Sequence, residues 1–276
     1  MNHHTVLGAS GVIGSRLVEY LRQNGQNVNA IGRCGNIDYR ANLGHVYYCI
    51  GITADFRTRL HETVRAHVSL LQEILERAQF DSLMYLSSTR LYQNNCTTQE
   101  YDDISVNPTN SDDLYNISKI MGESLCLVAA NPRVRVVRLS NVITSYNISS
   151  PLNFFDDILS SILRSKHLKL NSDLRSEKDY IDIDDVVDLM ARIAQEGTCR
   201  IYNIARGENT ALATLLDALR QCLDFDIAVE VAPNSPTVKF PSINTSRITG
   251  EWGFVPKPIF KTIQERIVAA LQVGEK

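Results

Sequence analysis

The sequence predicts an α/β protein, a doubly wound parallel sheet carrying a smaller C-terminal lobe. Three observations predict it. A glycine-rich turn at 8–14 joins a short apolar strand to an amphipathic helix at the start of the chain. Strand-like runs then alternate with helical ones. The run VYYCIG at 46–51 is apolar enough to be buried on both faces, as parallel strands are.

The first strand ends at Leu7, and the helix after the turn places Ile13, Leu17, Val18 and Leu21 on one face before Asn24-Gly25 stops it. VNAI at 28–31 reads as the second strand and 46–51 as the next. Residues 55–79 read as one long amphipathic helix through Leu60, Val64, Val68, Leu71 and Leu75. SLMYLSS and VRVVRLSNV are two further strands, with a helix over 112–130 between them. Beyond Thr144 the alternation loosens: PLNFFDDILSSILR is a helix, DYIDIDDVVDLMARIAQ a short strand feeding a helix, and RIYNIA a strand. The tail carries most of the prolines, as a loop-rich lobe does. No internal repeat or low-complexity tract is present.

The totals exclude several classes. A length of 276 residues allows one large domain, or a main domain with a lobe. A net charge of -3 leaves no electrostatic footprint for nucleic acid. No apolar run reaches membrane-spanning length, and the Met-Asn-His-His start lacks a signal-peptide pattern. The six scattered cysteines read as reduced thiols, so a cytoplasmic protein is expected. His3-His4 reads as a strand edge, and no metal is expected.

Gly8-Ala9-Ser10-Gly11-Val12-Ile13-Gly14 is G-x-x-G-x-x-G between a strand and a helix. Bare glycine backbone admits a ligand closely, and the helix N-terminus offers unpaired N–H groups to a phosphate. With that context the turn is a candidate dinucleotide site. Gly8, Ser10, Gly11, Val12, Ile13 and Gly14 are its cofactor-binding candidates. The second strand ends Ile31-Gly32-Arg33, with no carboxylate before Asp38. A basic residue there suits a 2′-phosphate, so NADP is preferred over NAD, with Arg33 as its ligand.

Tyr115 and Lys119 stand at i and i+4 and so share a helix face. A nearby ammonium is expected to lower the phenol's pKa from about 10, which makes Tyr115 a usable acid or base. One strand upstream, Ser87 and Ser88 close a strand at its C-terminus, where open parallel sheets bind ligands.

On these residues the chain resembles the extended short-chain dehydrogenase/reductase family, in its nucleotide-sugar epimerase and dehydratase branch. GASGVIG, YLSSTRLY, Tyr115-x-x-x-Lys119, VRLSNVI, KDYIDIDDVV, YNIARGENTALATLLDAL and INTSRITGEWGFVPK are similar to its motifs, in its order. The resemblance implies a Rossmann domain over 1–143 and 178–206 and a substrate lobe over 144–177 and 207–276. It implies catalytic roles for Ser88, Tyr115 and Lys119: Ser88 on the reacting oxygen, Tyr115 moving its proton, Lys119 on the nicotinamide ribose. It adds Gly51, with Tyr115 and Lys119, to the cofactor site. Ser88, Thr89, Asn141, Asn153 and Lys178 are the implied substrate contacts, and a homodimer is the implied assembly.

Departures narrow the reaction. The family's 4,6-dehydratases carry Asp-Glu where this chain has Thr89-Arg90, which disfavours dehydration. Two diphosphate arginines are reduced to Lys178, with Lys166, Arg175 or Arg247 as possible substitutes. The asparagine of the long helix is His67. Only 13 residues separate Arg33 from Tyr47, so a helix the family keeps there is absent and the adenine pocket is expected to be open. Loose cofactor exchange suits a reductase. The expected function is therefore an NADP-linked reductase or dehydrogenase of a sugar-like carbonyl on a nucleotide sugar. An NAD-dependent nucleotide-sugar epimerase is the alternative, and a non-catalytic dinucleotide sensor or scaffold the alternative from another class.

Overall fold

The computed structural model describes residues 3–33, 35–53, 55–144 and 154–274. Asn153, an expected substrate contact, lies outside them. In chain order the strands are β1 (His3–Leu7), β2 (Asn27–Ile31), β3 (His45–Tyr48), β4 (Ser82–Ser88), β5 (Val134–Leu139), β6 (Asn141–Ile143), β7 (His167–Leu170), β8 (Glu177–Asp182), β9 (Ile201–Ile204), β10 (Asn209–Ala211) and β11 (Ala228–Val231). The helices are α1 (Val12–Gln23), α2 (Leu60–Val64), α3 (Leu70–Arg77), α4 (Asp113–Val128), α5 (Phe154–Ser165), α6 (Ile183–Glu196), α7 (Leu212–Cys222), α8 (Ser246–Trp252) and α9 (Ile259–Gly274).

Six strands make the main sheet in the order β2-β1-β3-β4-β5-β9, every pair parallel. This is the Rossmann arrangement. From β1 the chain steps outward to β2, then crosses back to β3 on β1's other side. The strand order reverses between β1 and β3, and such a switch point opens a crevice at the strands' C-terminal ends. Gly8 follows β1 and Gly51 lies just beyond β3, so both stand at that crevice. Helices cover both faces. Leu17, Val18 and Leu21 of α1 pack with Val186, Val187 and Met190 of α6 on one side. Leu71 and Ile74 of α3 pack with Cys126 of α4 on the other.

Two expected elements differ. The helix read over 55–79 begins only at Leu60, and Arg65–Ser69 within it is a π-helical turn. The run VRVVRLSNV breaks at Ser140. Its N–H still donates to Ile204 O at 3.0 Å, but Asn141–Ile143 leaves the sheet to pair with β8. β10, β8 and β6 form a separate three-stranded sheet. Between β2 and β3 the described residues form no helix and no strand. Asn42 makes one bridge to Gln79. Residues 37–39 form no strand, and β2 is left as an edge strand with three of its five residues exposed.

The C-terminal part is more ordered than a loop-rich reading allows. Leu215 and Leu219 of α7, Ile158 and Ile162 of α5, and Ile263 and Ile267 of α9 share one core. Pro258 stands just before α9, and its carbonyl accepts the Thr262 N–H at 3.1 Å. Proline punctuates the helix start there, where its missing N–H costs nothing.

Candidate active site

The glycine turn is shaped by close approach. Gly8 sits at φ +83, and a Cβ there would lie 2.9 Å from the Cys49 carbonyl carbon. A Cβ on Gly14 would fall 2.3 Å from Gly8 O, so α1 starts hard against the turn. Gly11 caps α1 without a side-chain hydrogen bond, and no acidic residue stands in the first turn. The N–H groups there are left for a ligand, and the positive end of the helix dipole favours an anion. The residues present therefore fit a dinucleotide pyrophosphate. Ser10 abuts Gly32 at the end of β2, with its Oγ 3.5 Å from where a Gly32 Cβ would be. Arg33 follows, exposed, in the turn beyond.

Ser88 ends β4, and α4 carries Tyr115 and Lys119. The fold brings the three together. Tyr115 is buried, and Ser88 acts on its phenol. Ser88 Oγ accepts the Arg90 N–H at 3.1 Å. Lys119 Nζ donates to Leu86 O at 2.7 Å and lies 6.0 Å from the Tyr115 ring centre. A Cβ on Gly51 would come within 3.5 Å of that Nζ, so glycine keeps the space over the lysine clear.

The electrostatics correct one expectation. The Tyr115 phenol is not lowered by Lys119. Burial pushes it up, and what pulls it back is the Ser88 hydroxyl and the Arg90 charge. Lys119 is itself pushed down to about 7 by burial, with Glu123 and Cys49 acting the other way. Its folded-state pKa lies below the unfolded value of 10.5, so stability rises with pH between about 7 and 10.5 and is lowest below 7. Lys119→Met removes that dependence. Its stability gain over wild type should shrink by about 2–3 kcal/mol between pH 6 and pH 9, read from urea titrations.

His67 is the residue whose position the sequence resolves least. It sits in the π turn and is fully buried. Burial, with Lys119 nearby, pushes its pKa down to about 2, so it is neutral at any working pH. Nε2 accepts the Ile52 N–H at 3.2 Å, so the ring proton is on Nδ1, which faces Ser118 Oγ at 2.8 Å. Ser118 donates onward to Tyr115 O at 2.9 Å. The ring thus ties the loop after β3 to the tyrosine's own turn of helix. The π turn is held by tyrosine hydroxyls: Tyr48 donates to Ala66 O at 2.6 Å and Tyr85 to His67 O at 3.2 Å. Gly122 lets α4 approach, since a Cβ there would be 2.7 Å from His67 O. His67→Leu strands the Ile52 N–H and should cost about 1–3 kcal/mol in a denaturant titration.

The expected substrate contacts scatter around this centre. Thr89 is buried in the short 3-10 turn after β4. Asn141 donates its side chain to Asp179 O at 2.8 Å, next to Lys178. Lys178 Nζ lies over Phe154 at 5.0 Å and Phe240 at 5.9 Å. The proposed substitutes are engaged elsewhere: Arg175 with Asp173, Arg247 with Glu100, and Lys166 over the Phe225 ring. Burial lowers the Lys178 pKa, and the Arg90 charge adds to this. Among the described residues no cluster of side chains is arranged to hold a metal ion, and no helix is long and apolar enough to cross a membrane.

Comparison with known proteins accords with this geometry. Among curated proteins none matches. Among solved structures, an NAD-dependent NDP-hexosamine 5,6-dehydratase, TunA, involved in tunicamycin biosynthesis, superposes with a TM-score of 0.85 at 16% identity, covering 99% of this chain and 98% of its own. MoeE5, in complex with UDP-glucose and NAD, gives 0.80 at 18% identity over 98% and 99%. RMD from Pseudomonas aeruginosa, complexed with NADPH, gives 0.74 at 20% identity over 98% and 99%. At such identities these likenesses establish the fold. The model of the NAD dependent epimerase/dehydratase family matches residues 36–205, more than half of the chain. The chain is therefore an enzyme of the NAD-dependent epimerase/dehydratase family, built on the extended short-chain dehydrogenase fold.

Proposed function

We propose that the protein is an NAD(P)-dependent reductase of a keto group on a nucleotide-activated sugar, with Ser88, Tyr115 and Lys119 as its reacting site. The observation that carries this reading is the convergence of three side chains at the C-terminal edge of the sheet: buried Tyr115, Ser88 at the end of β4, and Lys119, 6.0 Å from the Tyr115 ring centre and beside Gly51. When bound, the nicotinamide supplies the hydride. The protein's part is proton transfer and positioning. Tyr115, kept protonated by burial, is in the state that donates to an oxygen gaining charge. Ser88 holds the phenol and offers its hydroxyl to the same oxygen. Lys119, aligned by Leu86 O, faces the ribose side of the cofactor crevice. Gly8, Ser10, Gly11, Val12, Ile13 and Gly14 cradle the pyrophosphate, and exposed Arg33 beyond β2 is the residue assigned to a 2′-phosphate, in keeping with NADP over NAD. Lys178 takes the substrate's phosphates, and Thr89 and Asn141 line the way to it.

The open edge at β2 favours a reductase over an epimerase. With no helix across residues 35–44, little shields the adenosine end, and a cofactor that must leave after each turnover gains from that. The measurement that separates the two is cofactor stoichiometry. One NAD(P)H consumed per 4-keto sugar supports the reductase. Isomerised product at catalytic cofactor, or cofactor retained through dialysis, supports the NAD-dependent epimerase. A homodimer through α2 and α4 belongs to the same reading. Leu60, Val64, Met121 and Val128 leave apolar surface exposed on those helices, and light scattering should give twice the chain mass.

A further inference from the structure

We propose that Arg90 forms an oxyanion subsite beside the Tyr115 phenol, which selects a sugar carrying a carboxylate on the carbon next to the reacting one. The inference rests on the reading of Ser88 and Tyr115 as the reacting pair.

Arg90 holds an unusual place. Its guanidinium lies 5.5 Å from the Phe56 ring centre and 5.8 Å from that of Tyr115. Its Nε is buried and has no hydrogen-bond partner. Arg90 forms no ion pair among the described residues, whereas the neighbouring Arg57 is paired with Asp112 at 2.6 Å. A half-buried cation without a counterion therefore stands between two aromatic rings.

Its balance is unfavourable as it stands. Burial lowers the Arg90 pKa and Arg57 adds to this, while Tyr115, Asp112 and Asp113 only partly offset it. An anion beside the guanidinium relieves it. A half-buried guanidinium with an unmet N–H is matched by a carboxylate, which can take two parallel hydrogen bonds from the fork.

The position fixes which carboxylate. Arg90 follows Ser88 by two residues, and its backbone N–H binds Ser88 Oγ. Its side chain and the Ser88 hydroxyl thus serve the same end of the ligand, where a hydroxyl or ketone meets Tyr115. A carboxylate held there is attached to the carbon next to the reacting one. A hexuronic acid places its carboxylate so, whereas a neutral hexose presents a hydroxymethyl group that leaves the guanidinium uncompensated.

The test is binding of UDP-, GDP-, CDP- and dTDP-linked glucose and glucuronate to the wild-type protein and to Arg90→Gln, by calorimetry with NADP or NAD present. For whichever base binds, the wild type should prefer glucuronate by about tenfold or more. Arg90→Gln should abolish that preference while leaving the glucose compound's Kd within about twofold. No preference in the wild type, or a preference that survives Arg90→Gln, overturns the proposal. An equal loss for both sugars also overturns it, since Arg90 would then hold the diphosphate. If no nucleotide sugar binds, the proposed function fails on its own account, and free glucuronate against glucose decides the subsite. Saturable, Arg90-dependent binding of glucuronate alone upholds it, and its absence overturns it.

Discussion

Tyr115→Phe lowers turnover about 10³-fold while cofactor and substrate still bind with near wild-type affinity. The expectation follows from what the hydroxyl does in the structure. The ring packs against Phe56 at 5.4 Å and edge-on to His67 at 5.4 Å, contacts that phenylalanine keeps. What is lost is the hydroxyl on which Ser88 acts, and its proton. Fold and binding should therefore survive, and kcat should fall with KM nearly unchanged. Single-turnover kinetics with measured Kd values check this. Unchanged turnover in Tyr115→Phe would remove every catalytic reading of the site and favour a dinucleotide sensor on the same fold.

Glu123→Gln should destabilise the protein by about 3–5 kcal/mol, lowering Tm by roughly 10 °C. Glu123 on α4 and Arg138 on β5 form a bidentate pair at 2.9 and 2.6 Å, with both side chains about 95% or more buried. Burial alone would lower the Arg138 pKa, but Glu123 and Tyr92 raise it well above the ordinary value. Arg138 also donates to Tyr92 OH at 2.6 Å and Glu100 O at 3.1 Å. Tyr92 in turn donates to Asn203 Oδ1 on β9 at 3.0 Å. The network thus pins α4, the 3-10 turn after Ser88 and the last sheet strand to one another. Removing one charge leaves the guanidinium buried and unpaired, which is where the cost lies. Replacing both partners, as in Glu123→Leu with Arg138→Met, should cost less than Glu123→Gln alone in calorimetric melts.

Much of this frame is legible in the sequence because it rests on local rules. The turn at 8–14 needs glycine at Gly8 and Gly14, and the sequence has them. Apolar runs mark β3, β4 and β5, and the shortened stretch after Arg33 announces the bare sheet edge. What stays hidden depends on contacts between distant elements. A 3.6-residue periodicity through Leu60, Val64, Leu71 and Leu75 cannot register one π turn, because the tyrosine hydroxyls that hold it come from other strands. The departure of Asn141–Ile143 into a second sheet depends on its partner β8, far along the chain.

The site shows the same division. Spacing alone puts Tyr115 and Lys119 on one helix face. Spacing does not give the burial that reverses the expected shift of the phenol, nor does it bring Arg90 over the ring. The Thr89-Arg90 pair signals an absent carboxylate. That Arg90 is an unpaired cation at the reacting end emerges only when Phe56 and Tyr115 are placed beside its guanidinium. His67 likewise reads as a single departure until Ile52 and Ser118 close on its two nitrogens.

The most direct measurement of the central claim is label transfer. The protein is incubated with NADPH or NADH carrying deuterium at C4 and with 4-keto nucleotide sugars, and the product is weighed by mass spectrometry. One deuterium gained per sugar in the wild type, and about 10³-fold slower gain in Tyr115→Phe, is the predicted result. Product formed without label from either cofactor face, or label transferred at an equal rate by Tyr115→Phe, would contradict it.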